Sequence, residues 1–158
     1  MNKTIVLAVE AKSHVSAAAD MTRELSQDSG DKVIVVHVHE FAVGRWGRMQ
    51  VDCGEGEGEA VVSKIVAGLK DANVTAEGEI REAQLGHIAR SILTAADEHN
   101  ARVVVIGSGG RVDLPHLPFG TVAHRLLHLA RRPVLIVPPE QGTKGAEHQP
   151  APAAATAS

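Results

Sequence analysis

The residues with the clearest potential for chemistry are glycines at both ends of a predicted loop. Gly107-Ser108-Gly109-Gly110 follows a buried apolar run, nine residues come next, and Gly120-Thr121 opens a segment with helical spacing. Glycine lets backbone amides approach a ligand closely, and the N-terminus of a helix attracts anions. The pattern therefore suits phosphate binding. The alternative is that these glycines only form turns and a helix start.

Two histidine pairs have spacings that metal ligands also use. His37 and His39 share one face of a predicted strand, and His124 and His128 share one face of a predicted helix. Neither pair has an obvious carboxylate or third ligand at helical spacing, so we interpret both as surface or interface histidines and expect no metal site. Cys53 is the only cysteine, which excludes an internal disulfide. No serine lies in a G-x-S-x-G motif, so no catalytic residue is predicted.

Composition narrows the class of protein. The 158 residues are 44% hydrophobic and 22% charged, typical of one globular domain. A net charge of -3 and an aromatic content of 2% argue against a nucleic-acid partner. The apolar runs are too short for a membrane span. The N-terminal segment lacks the features of a signal peptide, so we expect a cytoplasmic protein without a membrane partner.

The elements that must position the glycines are strands and helices in alternation. Continuous apolar runs predict buried strands at residues 5–9, 32–38, 102–106 and 133–137. Residues 74–81 alternate between apolar and polar, which is typical of an edge strand. Segments with helical spacing separate the strands. This alternation predicts a parallel sheet with helices on both faces, in which ligands bind beyond the carboxyl ends of the strands.

Two further segments have no clear hydrophobic period. Residues 41–58 are rich in glycine, and we predict a long flexible loop in which Trp46 packs on the protein surface rather than shielding a ligand. Residues 140–158 contain few large apolar side chains and are predicted to be a disordered C-terminal tail. The folded domain is therefore expected to span residues 1–139.

The glycine pattern G-x-x-G, nine residues, then G-[S/T] resembles the signature of the universal stress protein family. Four other segments are similar to family elements, namely Ile5–Val9 in the first strand, Val35–Val38 in the second strand, Gly86–Ala89 in the third helix, and Arg131–Pro138 in the last turn and strand. The resemblance covers about residues 1–139. It implies an α/β, Rossmann-like fold with a five-stranded parallel sheet in the order 3-2-1-4-5 and helices on both faces.

The resemblance also implies a binding site for ATP, with or without Mg²⁺. Carried over by position, Ala8, Glu10 and Val38 would surround adenine and ribose. The residues expected around ribose and phosphates are Ile106, Gly107, Gly109 and Gly110. The residues expected to close on the phosphates are Gly120, Thr121 and Val122.

Three residues depart from the family pattern. Glu10 stands where the family usually has Asp, Ala123 stands where Ser or Thr is frequent, and Asp113 places a negative charge in the nine-residue loop. The longer Glu10 side chain changes a contact to adenine or ribose. Ala123 supplies no hydroxyl for phosphate.

The resemblance favours a stress-response protein that binds ATP or a related adenine nucleotide and acts through contacts with a protein partner. No general base is positioned by the sequence, so we do not expect an enzyme. Two alternatives stay open: a dimeric interaction module of the same fold that binds no nucleotide, and a slow ATP hydrolase. We also expect a homodimer paired through Val134–Val137, because this edge strand carries no charge to guard it.

Overall fold

Strands and helices alternate along most of the chain. The computed structural model describes residues 3–11, 16–51, 54–108 and 120–139. The strands are β1 (Thr4–Val9), β2 (Lys32–Gly44), β3 (Gly47–Gln50), β4 (Ala76–Gln84), β5 (Ala101–Gly107) and β6 (Val134–Val137). The helices are α1 (Ser16–Ser29), α2 (Glu57–Asp71), α3 (Ile88–Glu98) and α4 (Thr121–Leu129). Among the described residues, every helix is too short or too polar to span a bilayer.

The predicted doubly wound sheet is confirmed, with one additional strand. Parallel pairing joins β4 to β2, β2 to β1, β1 to β5 and β5 to β6. Counted without β3, these five strands have the expected order 3-2-1-4-5. The sheet is nevertheless six-stranded and mixed, because β3 pairs antiparallel with the end of β2. The strand order reverses at β1, which lies between β2 and β5.

The extra strand corrects the prediction of a loop over residues 41–58. β2 continues to Gly44, the chain reverses at Gly47, which has a φ of 107°, and α2 already begins at Glu57. The Arg48 guanidinium lies 3.8 Å from the centre of the Phe41 ring, which ties β3 to β2. The expectation that Trp46 packs on the surface is also wrong, because this side chain is 97% exposed at the hairpin turn.

Two apolar layers cover the two faces of the sheet. On one face, α3 and α4 pack over alternate strand residues such as Val6, Val36 and Val104. On the other face, α1 and α2 pack over the intervening residues, among them Leu7 and Val35. The side chains of β1 point alternately into both layers and are almost completely buried. This explains why β1 is a continuous apolar run rather than an alternating one.

The first turn of α2 lies directly against two histidines of β2. A Cβ atom at Gly58 would overlap the His37 ring and lie 2.9 Å from Cε1 of His39. The His37 ring is itself buried, and its Nδ1 atom is 2.9 Å from the carbonyl oxygen of Val9. Because this ring is fixed by a neighbouring strand, it has little freedom to move away from an added methyl group.

We expect Gly58→Ala to destabilise the protein although alanine favours helices. Overpacking against His37 should lower the free energy of unfolding by about 1–3 kcal/mol. Gly68→Ala is the matched control in the same helix, because a Cβ there meets nothing within 4 Å. The control should raise stability by about 0.5–1 kcal/mol. Denaturant unfolding of both variants is the measurement, and equal shifts in the two would contradict the packing described for Gly58.

Candidate functional site

A largely apolar cavity opens at the carboxyl ends of β1, β2 and β5. Its volume is about 220 Å³. The strand order reverses here, so the connections after β1 and β5 leave on opposite faces of the sheet and a crevice remains between them. Its wall is formed by residues of the three strands, of the segment after β1, of α3 and of α4. They are Ala8, Val9, Glu10, Ala11, Val36, His37, Val38, Ile88, Ile92, Ile106 and Val122.

The structure brings half of the sequence-predicted site residues to this cavity. The five that line it are Ala8, Glu10, Val38, Ile106 and Val122. Thr121 and Val122 line a neighbouring cavity. Gly107 ends β5 and Gly120 precedes α4, and neither lines the two cavities.

Several residues that the sequence patterns single out fall outside the part of the chain that the structure describes. These are Gly109, Gly110, Cys53, the nine-residue loop with Asp113, and the segment 140–158. Ala123, the third departure from the family pattern, is 2% exposed and belongs to the core cluster under α3 and α4. It lines neither cavity, so the loss of a hydroxyl at this position removes no group from their walls.

The neighbouring cavity lies between the starts of α3 and α4. It measures about 230 Å³ and shares Ile88 and Val122 with the first cavity. The turn at Gly86, which has a φ of 83°, forms part of its rim. Two charged side chains form hydrogen bonds with the backbone of this turn. The carboxylate of Glu40 accepts a hydrogen bond of 2.5 Å from the Gly86 amide, and the guanidinium of Arg125 donates to the Gly86 carbonyl.

Backbone hydrogen bonds fix the start of α4 beside the end of β5. The Gly120 amide donates to the Ser108 carbonyl at 2.8 Å, and the Ser108 amide donates to the Val137 carbonyl at 2.9 Å. Gly120 occupies the N-cap position and has no side chain with which to cap the helix. The amides of the first turn of a helix have no partner within the helix and carry its positive dipole end. The start of α4 is therefore suited to attract an anion.

Sequence reasoning missed several residues of the two cavities. Val36, Ile88 and Ile92 line the first cavity, and Arg125 lines the second. The sequence pattern assigns the three apolar residues only to buried elements, and nothing in their type separates a cavity wall from a filled core. Glu40 also lines the second cavity, and the sequence does indicate it, because it comes shortly after the predicted buried strand 32–38, at the ligand-binding edge of the sheet.

The His37 and His39 rings lie on the α2 side of the sheet, although His37 is also part of the cavity wall. The two rings meet edge to face with their centres 4.8 Å apart. His39 Nε2 is 2.9 Å from Oε1 of Glu59, and His39 Nδ1 is 3.2 Å from Nε2 of Gln50. The hydrogen bond with His39 lowers the pKa of the Glu59 carboxyl below its usual value. These contacts join β2, β3 and α2, so the pair serves packing as well as polar contact.

Together the two cavities offer an apolar wall, a carboxylate and a place suited to an anion. The first is walled by aliphatic side chains with the Glu10 carboxylate at its edge, and the second leads to the anion-attracting start of α4. A ligand that matches both has an apolar part that carries hydrogen-bonding groups and a second part that is anionic. In the described residues, no group of three or more histidine, cysteine, aspartate or glutamate side chains is placed to hold a metal ion.

Comparison with known proteins gives the family. The universal stress protein family model matches residues 1–138. None of the curated proteins matches the chain closely enough to count as a relative. Among solved structures, a universal stress protein from Archaeoglobus fulgidus is similar at a TM-score of 0.67 and 23% identity, over 87% of this chain and 99% of that one.

Two further solved structures are complexes with nucleotides. The universal stress protein from Archaeoglobus fulgidus in complex with dAMP has a TM-score of 0.65 and 23% identity, over 85% of this chain and 97% of that one. A universal stress protein in complex with cAMP has a TM-score of 0.64 and 20% identity, over 87% of this chain and 98% of that one. At these identities the structures establish a shared fold, and the family model adds membership: this chain belongs to the universal stress protein family.

Proposed function

We propose that this protein binds ATP or a related adenine nucleotide in the crevice between β1 and β5. The observation that carries the proposal is that an apolar cavity adjoins a second cavity at the start of α4, with Ile88 and Val122 in the walls of both. A nucleotide has this same division into an apolar ring and an anionic chain. The dAMP and cAMP bound by two solved relatives support adenine as the base.

The base-binding part of the proposal rests on the size and lining of the first cavity. At about 220 Å³ it is smaller than the roughly 300–1,000 Å³ of sites that enclose a drug-sized ligand. It therefore suits a purine ring alone. Ala8, Val38 and Ile106 supply apolar contact. Glu10 supplies carboxylate oxygens that can accept hydrogen bonds from an exocyclic amine or from ribose hydroxyls.

The phosphate-binding part rests on Gly120 and Thr121. Gly120 itself places no side chain beside the first-turn amides of α4, and the Thr121 hydroxyl is one further donor in the same place. Arg125 lies one helical turn further along the wall of the second cavity. Its guanidinium binds the Gly86 carbonyl, so its positive charge stays near this end of the crevice. If Mg²⁺ accompanies ATP, it neutralises phosphate charge, and Thr121 and Glu40 are the residues in the wall of the second cavity that carry side-chain oxygens.

We further propose that the protein acts in the cytoplasm, in the response to stress, through partner contacts that depend on the bound nucleotide rather than through fast chemistry. Two alternatives differ in measurable ways. An interaction module with a purely structural glycine loop would not bind ATP at all. A slow hydrolase would bind ATP and release phosphate, with a carboxylate near the crevice as the base.

Gly120→Val is the variant that separates these functions most clearly. Gly120 has φ -58° and ψ 159°, which valine adopts without strain, so the fold should persist. A valine side chain adds bulk at the N-cap position, next to the first turn of α4. We expect calorimetry with MgATP to detect binding to the wild-type protein and to show a loss of about tenfold or more in Gly120→Val, or about 1.4 kcal/mol.

Gly44→Val is the matched control for this experiment. Gly44 lies at the end of β2, and a Cβ there meets nothing within 4 Å. The control should bind MgATP as the wild type does. Absence of heat with the wild-type protein up to millimolar nucleotide would favour the interaction module, and equal affinity in Gly120→Val would remove α4 from the site. A phosphate-release assay on the same samples tests the slow hydrolase.

We also propose a homodimer paired through β6. In the described residues β6 pairs only with β5, so its other edge is open. The Val104 amide binds the Pro133 carbonyl and the Ser108 amide binds the Val137 carbonyl. Because alternate residues of a strand direct their polar groups to the same side, Val134 and Ile136 direct theirs to the open edge. Antiparallel pairing of two such edges about a two-fold axis would satisfy both.

Ile136→Pro tests this pairing, because proline removes one outward amide while the hydrogen bonds to β5 remain. Ile136→Ala is the control, since it loses the same side-chain packing and keeps the amide. We expect the wild type and Ile136→Ala to sediment as dimers at micromolar concentration and Ile136→Pro as a folded monomer. A monomeric wild-type protein, or a dimeric Ile136→Pro, would contradict the proposal.

A further inference from the structure

The second histidine pair of the chain lies on α4, away from the walls of both cavities. His124 is partly buried and His128 is exposed, and they are four residues apart on one face of the helix. Their ring centres are 4.6 Å apart, with an angle of 63° between the ring planes. The two Nε2 atoms face each other at 3.4 Å.

The two rings form a long hydrogen bond in the absence of an ion. Donor and acceptor atoms in N–H hydrogen bonds are usually about 2.7–3.2 Å apart. The same distance also fits two ligands of one ion. Zinc binds imidazole nitrogen at about 2.0–2.1 Å with tetrahedral angles, which puts two ligand nitrogens about 3.4 Å apart. Two neighbouring ligands at right angles, as in square-planar or octahedral geometry, would be about 2.9 Å apart at the same bond length.

We propose that His124 and His128 form a chelating site for a divalent transition-metal ion of tetrahedral preference, with Zn²⁺ as the fitting ion. The protein supplies two nitrogens through Nε2, and water completes the coordination. Of the described residues, none adds a third histidine, cysteine, aspartate or glutamate to this pair. The affinity should therefore be lower than that of structural zinc sites, which have four protein ligands.

The other histidine pair is not equivalent. His37 and His39 lie beneath α2, where Nδ1 of His37 contacts the Val9 carbonyl and both ring nitrogens of His39 contact Glu59 and Gln50. Binding a metal ion there would break these contacts and displace the helix. In the sequence both pairs have a spacing that metal ligands use, and it is their surroundings in the structure that distinguish them.

Metal binding at this pair should stabilise α4. The helix has nine residues, which is short for a helix held by its own hydrogen bonds. An ion that bridges His124 and His128 fixes one turn of it. Because such an ion binds the folded helix better than the unfolded chain, it stabilises the folded protein.

The test is a Zn²⁺ titration of the full chain, free of any affinity tag, by calorimetry and by thermal unfolding. We expect one bound ion that is lost or weakened by about tenfold or more in His124→Gln and in His128→Gln, since either change removes the chelate. The double variant should bind at least as weakly as either single variant. Zn²⁺ should raise the Tm of the wild type and leave the Tm of these variants unchanged.

His87→Gln is the control, because His87 is an exposed histidine whose Nδ1 contacts the Leu85 carbonyl, outside α4. It should bind Zn²⁺ as the wild type does. Co²⁺ adds a test of geometry, since a tetrahedral Co²⁺ complex absorbs visible light far more strongly than an octahedral one. Unchanged Zn²⁺ binding in the double variant, absence of binding to the wild type, or a weak octahedral Co²⁺ spectrum would overturn the proposal.

Discussion

The burial of β1 on both faces is the constraint from which the architecture follows. Ile5, Val6 and Leu7 are completely buried, and β1 pairs along its length with β2 on one edge and β5 on the other. Neither face of such a strand can meet water, so helices must cover both faces of the sheet. α1 and α2 cover one face, and α3 and α4 cover the other. The chain changes face between β4 and β5, and the crevice at the end of β1 is the result of this change.

β2 also contributes to both faces of the sheet, and it reaches the candidate site. Its alternate side chains serve two purposes, because Val36 and Val38 face the crevice side while His37 and His39 contact α2. The extension of β2 beyond β1 adds Glu40, whose carboxylate holds the turn at Gly86. One strand thus supplies apolar residues to the cavity wall, two histidines that contact α2, and the charged Glu40 at the rim. A change of register by one residue would exchange these roles.

Much of the fold could be predicted from the sequence because buried parallel strands are continuous apolar runs. The runs at Ile5–Val9 and Val134–Val137 are strands in the structure. The β2–β3 hairpin could not be predicted in this way, because its side chains, among them the exposed Val43 and Met49, do not form a run with one buried face. Gly44 and Gly47 mark the turn, and glycines in that position fit a hairpin as well as a loop.

The candidate site could be predicted in part, through glycines and strand ends. Glu10 and Val38 lie where a parallel sheet directs its ligand, and a family resemblance selected Ile106 and Val122. Ile88 and Ile92 could not be recognised, because a helix residue on a cavity wall has the same pattern as one in a filled core. The difference arises only from the spacing between α3 and the sheet, which no local sequence pattern specifies.

The central claim, that an adenine nucleotide occupies this crevice, is tested most directly by amide chemical shifts of ¹⁵N-labelled protein during addition of ATP. We expect the largest shifts at Glu10, Ile106, Thr121 and Val122, with little change at Asp31, which hydrogen-bonds the Lys3 amide at the opposite end of β1. Shifts confined to the opposite face, around Glu59 and α2, or no shifts at millimolar ATP, would contradict the account.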